Sequence, residues 1–186
     1  MMVDVTMLWL PIIVAAVLVF VASSIIHMVL PYHRSDYGRV PSEDQAMDAL
    51  RPFKIPPGDY MVPCPAGPES MKSKEHLEKM NKGPVVFMTV LPTGQIGMGR
   101  NLVLWFIFCL VVGLFSGYIA GVALPPGADY MAVFRITGTV AFVGYSMALW
   151  ENVVWYNKSV ATTLKSTFDG LIYGLLTAGA FGWLWP

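Results

Sequence analysis

The feature that most constrains this fold is a set of long apolar runs. A helix needs roughly 20 consecutive apolar residues to cross a hydrocarbon layer about 30 Å thick. Four runs are of about this length: Thr6–Leu30, Leu102–Leu124, Tyr130–Trp150 and Thr167–Trp185. The sequence therefore predicts an all-α integral membrane protein in which four transmembrane helices form an antiparallel bundle.

The composition agrees with a membrane protein and excludes some other classes. Of the 186 residues, 55% are hydrophobic and only 13% are charged, whereas about a quarter of the residues of a soluble domain are charged. The 12 basic and 12 acidic residues balance, so the chain lacks the basic surface of a nucleic-acid-binding protein. Cys64 lies in a proline-rich segment and Cys109 in an apolar run, which does not indicate a disulfide framework.

The distribution of basic residues predicts the orientation of the spans. Nine of the twelve lie between the first two runs: Arg34, Arg39, Arg51, Lys54, Lys72, Lys74, Lys79, Lys82 and Arg100. Lys158 and Lys165 lie between the third and fourth runs. Because basic loops stay in the cytoplasm, we expect both termini outside. The predicted divisions are transmembrane helix 1 at 1–31, a cytoplasmic loop or cap at 32–100, and transmembrane helices 2–4 at 101–186.

The segment between the first two runs has its own local signals. Ser42 precedes Glu43-Asp44-Gln45, which is typical of the N-cap of a short helix. A second helix is expected from Pro68 to Lys82, stopped by Gly83. Two extended pieces, Asp59–Cys64 and Val85–Leu91, are bounded by proline or glycine. We therefore expect a small mixed cap with two short helices and one possible pairing of short strands.

Two of the apolar runs carry a small residue at every fourth position. These residues are Gly113, Gly117 and Gly121 in the second run, and Gly170, Gly174, Ala178 and Gly182 in the fourth. In lipid, small residues at this spacing allow two helices to approach closely. One interpretation is packing within a four-helix bundle, and the other is that one of the two faces packs against a different protein or a second copy of the chain.

Polar residues at the cytoplasmic ends of the spans are candidates for a functional site. His27, Glu151, Asn152 and Asp169 are predicted to lie on the same side of the membrane. Together they could form a polar patch that binds a cation or relays protons. The alternative is that each is a separate interfacial residue. For Asp169 that alternative is specific, since Ser166-Thr167-Phe168-Asp169 has the pattern of a helix start and predicts a capping role.

Arg135 lies roughly 9 Å into the third span from its outer end, at 1.5 Å per residue. Its long side chain is predicted to reach the headgroups and to anchor the helix on the outer side. The alternative is a contact with a substrate or a lipid. Because a charge inside a membrane is costly, both interpretations give Arg135 a partner that offsets this cost.

No cofactor is predicted, although lipid contacts are possible. The methionines between the first two runs, with Cys64 and His76, are of the type that suits copper(I), but they lack tight ligand spacing. Cys64-Pro65 resembles a short haem-contacting dipeptide and carries little specificity. None of the common nucleotide, hydrolase or zinc motifs occurs, so the chain gives no indication of an enzyme.

These observations lead to three hypotheses about function. The first is a non-catalytic accessory or scaffold subunit of a membrane complex that packs through its small-residue helix faces. The second is a small transporter or an ion- or proton-conducting oligomer that uses His27, Glu151 and Asp169. The third is a membrane enzyme or metal-binding protein acting at the cytoplasmic face. The layout resembles small multi-pass membrane proteins of bacteria, which implies the bacterial inner membrane and no particular activity.

Overall fold

The computed structural model describes residues 2–95 and 97–186. They divide into two compact units, one formed by residues 2–37 and 97–186 and the other by residues 38–95. The first unit contains the long apolar helices, and the second contains two short helices and a two-stranded sheet.

The helices of the first unit are α1 (Trp9–Ser24), α4 (Met98–Ala123), α5 (Tyr130–Phe142), α6 (Leu149–Tyr156) and α7 (Val160–Trp183). Short irregular helical turns extend α1 at both ends and join α5 to α6. Among the described residues, three segments are long and apolar enough to cross a membrane: Val5–Val29, Met98–Ala123 and Tyr130–Tyr156. These three helices indicate a membrane protein.

The fourth apolar run is part of a longer and more polar helix than the sequence predicts. The third segment continues past Trp150 to Tyr156, and α7 begins at Val160 rather than at Thr167. Only residues 157–159 separate α6 from α7, and Asn157 takes a left-handed conformation there. Lys165 therefore lies within α7 and not in a loop.

The small residues of α4 face the first residues of the chain and Phe181 of α7. A Cβ atom at Gly113 would touch Ile12 at 3.4 Å, and one at Gly117 would lie 3.0 Å from the Phe181 ring. At Gly121 a Cβ atom would overlap the backbone carbonyl oxygen of Val3. This face of α4 is thus occupied by residues of the same chain.

The small residues of α7 face α5 and the turn that follows it. A Cβ atom at Gly174 would lie 3.1 Å from the carbonyl oxygen of Gly138, and one at Gly182 would lie 2.6 Å from the Tyr130 ring. The Cβ atom of Ala178 is 2.9 Å from the position that a Cβ atom of Gly138 would take. The pair α5 and α7 therefore packs at backbone range, as small residues permit in lipid.

A short turn joins α4 to α5 and makes them neighbours. Gly127 has a φ of 72° in this turn, a conformation that favours glycine. Its N–H donates to the carbonyl oxygen of Pro186 at 2.6 Å, and the Trp185 indole donates to that of Pro125 at 3.0 Å. The last residues of the chain are thereby held against the turn.

In the second unit, α2 (Glu43–Leu50) and α3 (Lys74–Lys82) accompany β1 (Gly58–Val62) and β2 (Val86–Val90). The strands are antiparallel, with Tyr60 opposite Met88. β2 lies within the segment Val85–Leu91 that the sequence assigns as extended, and β1 overlaps Asp59–Cys64 but begins one residue earlier, at Gly58. Helix α2 begins at Glu43 with Ser42 in the N-cap position, as the sequence predicts, but Ser42 takes a left-handed conformation with φ 52° and its side chain makes no capping hydrogen bond.

Helix α3, which the sequence predicts to start at Pro68, is shorter than expected. It begins after Ser73, whose hydroxyl accepts a hydrogen bond from the backbone N–H of His76 at 3.2 Å. The helix ends at Gly83, as the sequence indicates. A side-chain oxygen at the N-cap satisfies one of the free N–H groups of the first turn, which explains why α3 begins there.

Candidate functional site

Asp169 is a buried carboxylate in the middle of a long helix. Its exposed fraction is 2%, and nine residues of α7 precede it. The prediction that it caps a helix is wrong, because the N-cap is Ser159, whose hydroxyl accepts a hydrogen bond from Thr162 N–H at 3.3 Å. A carboxylate this deeply buried requires partners, since an unpaired buried charge is costly.

Those partners come from the end of the first apolar segment and the turn that follows it. The last turn of the segment, Ile25–Val29, is a wider π-helical turn that contains His27. Pro31 then starts a tight turn over Tyr32–Ser35, consistent with the inability of proline to continue a helix. The change of direction brings both His27 and His33 to α7.

The imidazole of His33 lies between two carboxylates. Its Nε2 atom is 2.8 Å from Oδ2 of Asp169, and its Nδ1 atom is 2.6 Å from Oδ2 of Asp36. His27 Nε2 is 3.9 Å from the same Asp169 oxygen and 3.5 Å from the Tyr173 hydroxyl. The Tyr32 hydroxyl donates a hydrogen bond to the other oxygen of Asp169, Oδ1.

A lysine of α7 supports the turn from outside. The ammonium group of Lys165 donates to the backbone carbonyl oxygen of Tyr32 at 2.6 Å, to Ser35 Oγ at 2.9 Å and to Asp36 Oδ1 at 2.8 Å. This lysine contact, together with the one from His33, holds the pKa of the Asp36 carboxyl below its ordinary value. Burial, reinforced by the bond to Asp169, raises the pKa of the Tyr32 hydroxyl, so the phenol keeps its proton and acts as a donor.

The rings of the cluster also stack. The centroids of His27 and His33 are 4.4 Å apart, and those of Tyr32 and His33 are 4.2 Å apart. The side chain of His33 is 11% exposed, whereas that of His27 is 50% exposed. One face of the site is therefore open to the surroundings through His27.

We call His27, Tyr32, His33, Asp36, Lys165 and Asp169 the histidine–aspartate cluster. Within it, one ligand atom each from His27, His33 and Asp169 lies within 4.8 Å of the other two, which makes them a group able to hold a metal ion. Two of the three histidines of the chain meet in this cluster. Two imidazoles and one carboxylate are a donor set that suits zinc and neighbouring transition metals.

Two cavities adjoin the cluster. One, of about 280 Å³, is lined in part by His27, Met28 and Trp105. The second, also of about 280 Å³, is lined in part by Asp36 and Asn152. The cluster thus has a cavity on its His27 side and another on its Asp36 side.

The structure brings together only part of the predicted polar patch. His27 and Asp169 meet, but Glu151 is exposed on α6, and its side chain makes no hydrogen bond or ion pair with any described residue. Asn152 is exposed beside it and reaches only the wall of the second cavity. Arg135 is exposed on α5 and likewise has no hydrogen-bonding or ionic partner within the described part of the chain.

Four members of the cluster are not predicted from the sequence: Tyr32, His33, Asp36 and Lys165. One signal was present, since His33 follows His27 by six residues with Pro31 between them. A proline that ends a helix can return the chain toward the residues it has just left. Lys165 and Asp169 are four residues apart and so share one face of α7, provided that the helix begins before Lys165.

No protein-family model, curated protein or solved structure matches this chain.

Proposed function

We propose that this is a membrane protein that binds and transports a divalent transition-metal ion of the zinc class. The observation that carries the proposal is the convergence of His27, His33 and Asp169, whose ligand atoms lie within 4.8 Å of one another. The transporter hypothesis drawn from the sequence is retained, but with His33 in the place that it gave to Glu151.

The distances fit a metal site after small movements. Zinc bonds of 2.0–2.2 Å in tetrahedral geometry place two ligand atoms about 3.3 Å apart. Asp169 Oδ2 lies 2.8 Å from His33 Nε2 and 3.9 Å from His27 Nε2, one value below and one above that separation. Since His27 is half exposed, its ring has room to approach.

The surrounding contacts are those that metal ligands require. A histidine ligand usually donates its second N–H to a carboxylate or a carbonyl, which fixes the ring and its tautomer. Asp36 offers such a carboxylate to Nδ1 of His33 at 2.6 Å, leaving Nε2 for the ion. Tyr32 occupies Oδ1 of Asp169 and leaves Oδ2 free to bind the ion.

The charge and number of the ligands favour an exchangeable divalent ion. Histidine binds a metal ion in its neutral form, so with both carboxylates ionised and Lys165 protonated the metal-binding form of the cluster carries one negative charge, which favours a cation. Magnesium and calcium take six or more oxygen ligands, whereas two imidazoles favour zinc and its neighbours. Three protein ligands leave the fourth position open, which is typical of sites where the ion or its water must exchange.

The membrane arrangement that completes this proposal has four spans, with α7 as the fourth. Both termini lie outside, and residues 38–95 are on the cytoplasmic side of a bacterial inner membrane. The cluster then lies at the cytoplasmic end of the helices. The short, basic 157–159 segment beside α7 agrees with that side.

The accessory-subunit hypothesis stays a prediction. Its main motivation was the small-residue faces of α4 and α7, and these contact Ile12, Phe181, Gly138 and Tyr130 of the same chain. Such contacts account for the glycine spacing without a second protein. The histidine–aspartate cluster is therefore the stronger basis for a function.

Zinc binding to the detergent-purified protein tests the first half of the proposal. Titration calorimetry should give one ion per chain, and Asp169→Asn and His33→Gln should each weaken binding at least about tenfold, since even second-shell changes cost metal sites 10- to 100-fold. Glu151→Gln and His76→Gln are matched controls outside the cluster and should leave the affinity unchanged. No saturable zinc binding, or equal affinity in folded Asp169→Asn protein, would overturn it.

Zinc uptake into vesicles tests the second half. Vesicles that contain a zinc-sensitive dye and the reconstituted protein should take up zinc faster than protein-free vesicles, and Asp169→Asn should remove the difference. Glu151→Gln should transport like the wild type. If zinc binds as expected but uptake never exceeds that of empty vesicles, transport is wrong and a binding function remains.

A further inference from the structure

Arg135 presents an unpartnered positive charge on a helix that is apolar enough to cross a membrane. It lies in the segment Tyr130–Tyr156, roughly 8 Å along the axis from the first residue of α5 at 1.5 Å per residue. Its side chain is exposed and has no hydrogen-bond or ionic partner among the residues described. A lone charge at such a depth is costly unless it meets an anion or reaches the interface.

A groove runs beside this arginine between α5 and α7. The two helices approach closely at Gly138 and Gly174, where a Cβ atom at Gly174 would lie 3.1 Å from the Gly138 carbonyl oxygen. Beside this contact is a cavity of about 280 Å³ on the surface of the helix pair. Both of these glycines and Arg135 line it.

The walls of the groove are mostly apolar, and the polar side chains that line it are those of Arg135 and Thr139. Arg135 and Thr139 are four residues apart and therefore share one face of α5. The Thr139 hydroxyl, like the guanidinium, makes no hydrogen bond to any part of the chain that the structure describes. The remaining walls are apolar side chains: Phe134, Phe142, Leu171 and Leu175.

We propose that this groove binds an anionic phospholipid. The guanidinium of Arg135 takes the phosphate with two parallel hydrogen bonds, a geometry for which arginine is suited and lysine is not. Thr139 donates a further hydrogen bond, and an acyl chain packs along the phenyl and leucine side chains. The occupant is recognised by charge at one end and by apolar contact along its length. This site shares no residue with the histidine–aspartate cluster, so it stands independently of the proposed metal transport.

Native mass spectrometry of delipidated protein, titrated separately with phosphatidylglycerol and with phosphatidylcholine, tests the proposal. We expect the wild type to retain phosphatidylglycerol at about tenfold lower lipid concentration than phosphatidylcholine. Arg135→Gln should abolish the difference, and Arg135→Lys should reduce it, because lysine keeps the charge but not the fork. Arg100→Gln removes another exposed arginine, at the start of α4, and should preserve the preference.

Soluble glycerol phosphate provides the arm that separates a lipid from a free anion. It should not compete measurably with phosphatidylglycerol, because it lacks the acyl chain that contacts the groove. Equal retention of the two lipids by the wild type, an undiminished preference in Arg135→Gln, or full competition by glycerol phosphate would each overturn the assignment.

Discussion

His33 Nε2 lies 2.8 Å from Asp169 Oδ2, although the two residues are 136 positions apart in the chain. The contact joins the turn that follows the first apolar segment to the middle of α7. It also brings His27 within reach of the same carboxylate. The turn and the helix therefore support one another.

Lys165 is expected to hold the turn in place. Replacing it with glutamine removes an ammonium group that binds three oxygen atoms of the Tyr32–Asp36 turn. Hydrogen bonds from charged groups contribute about 1.5–3 kcal/mol, so amide hydrogen exchange in this turn should accelerate about ten- to a hundredfold. Lys158→Gln, which changes an exposed lysine just before α7, should leave the exchange unchanged; equal acceleration in both variants would contradict the role of Lys165.

Gly121→Ala should destabilise the fold by about 1–3 kcal/mol, since overpacking a close contact costs this much. The new methyl group would overlap the backbone carbonyl oxygen of Val3, which is not a flexible group that can swing away. Denaturant unfolding in detergent, followed by circular dichroism, measures the change. Gly99→Ala on the same helix meets nothing within 4 Å and should be neutral or slightly stabilising; a similar loss there would show that the contact with Val3 is not the cause.

Gly170 and Ser146 should behave as a coupled pair. A methyl group at Gly170 would overlap Ser146 Oγ, and that hydroxyl is buried with no hydrogen-bond partner in the described structure. Gly170→Ala should therefore cost about 1–3 kcal/mol. Ser146→Ala removes an unsatisfied polar atom and should be near neutral or stabilising.

The double variant Gly170→Ala with Ser146→Ala completes the cycle. It should be more stable than the sum of the single changes by at least about 0.5 kcal/mol, the lower end for residues in contact. Thermal unfolding in detergent measures the stability of the wild type, the two single variants and the double variant. Strict additivity would mean that the clash lies elsewhere, for example at the Tyr145 Cβ atom, which is 3.3 Å from the new methyl position.

Chemical labelling of the native cysteines can determine the side of the membrane on which residues 38–95 lie. Cys64 is exposed and Cys109 is buried, and both are free. A membrane-impermeant maleimide should label Cys64 in inside-out vesicles and not in intact cells, because the basic residues predict a cytoplasmic location. Pro126→Cys in a Cys64→Ser background, in the turn after α4, should give the opposite pattern; labelling of Cys64 from outside would reverse the proposed orientation.

The sequence by itself determined the local elements of this protein. Runs of apolar residues predict long helices because a helix in lipid satisfies its own backbone hydrogen bonds, and three such helices are present at the expected places. The two strands also fall where proline and glycine bound an extended segment. Helix boundaries follow less directly from the sequence: α7 begins seven residues before Thr167, because Ser159 caps it and Lys165 and Thr163 are tolerated within a helix.

Only the tertiary structure decided what the polar residues do. Asp169 has the local pattern of a helix cap, and nothing near it in the sequence indicates that His33 and Tyr32 will reach it across more than 130 residues. Glu151 and His27 are both polar residues at the predicted cytoplasmic end of an apolar run, yet only His27 joins the cluster. The reason is physical: helix formation depends on neighbours in the sequence, whereas a binding site depends on which helix faces meet and on how a turn redirects the chain.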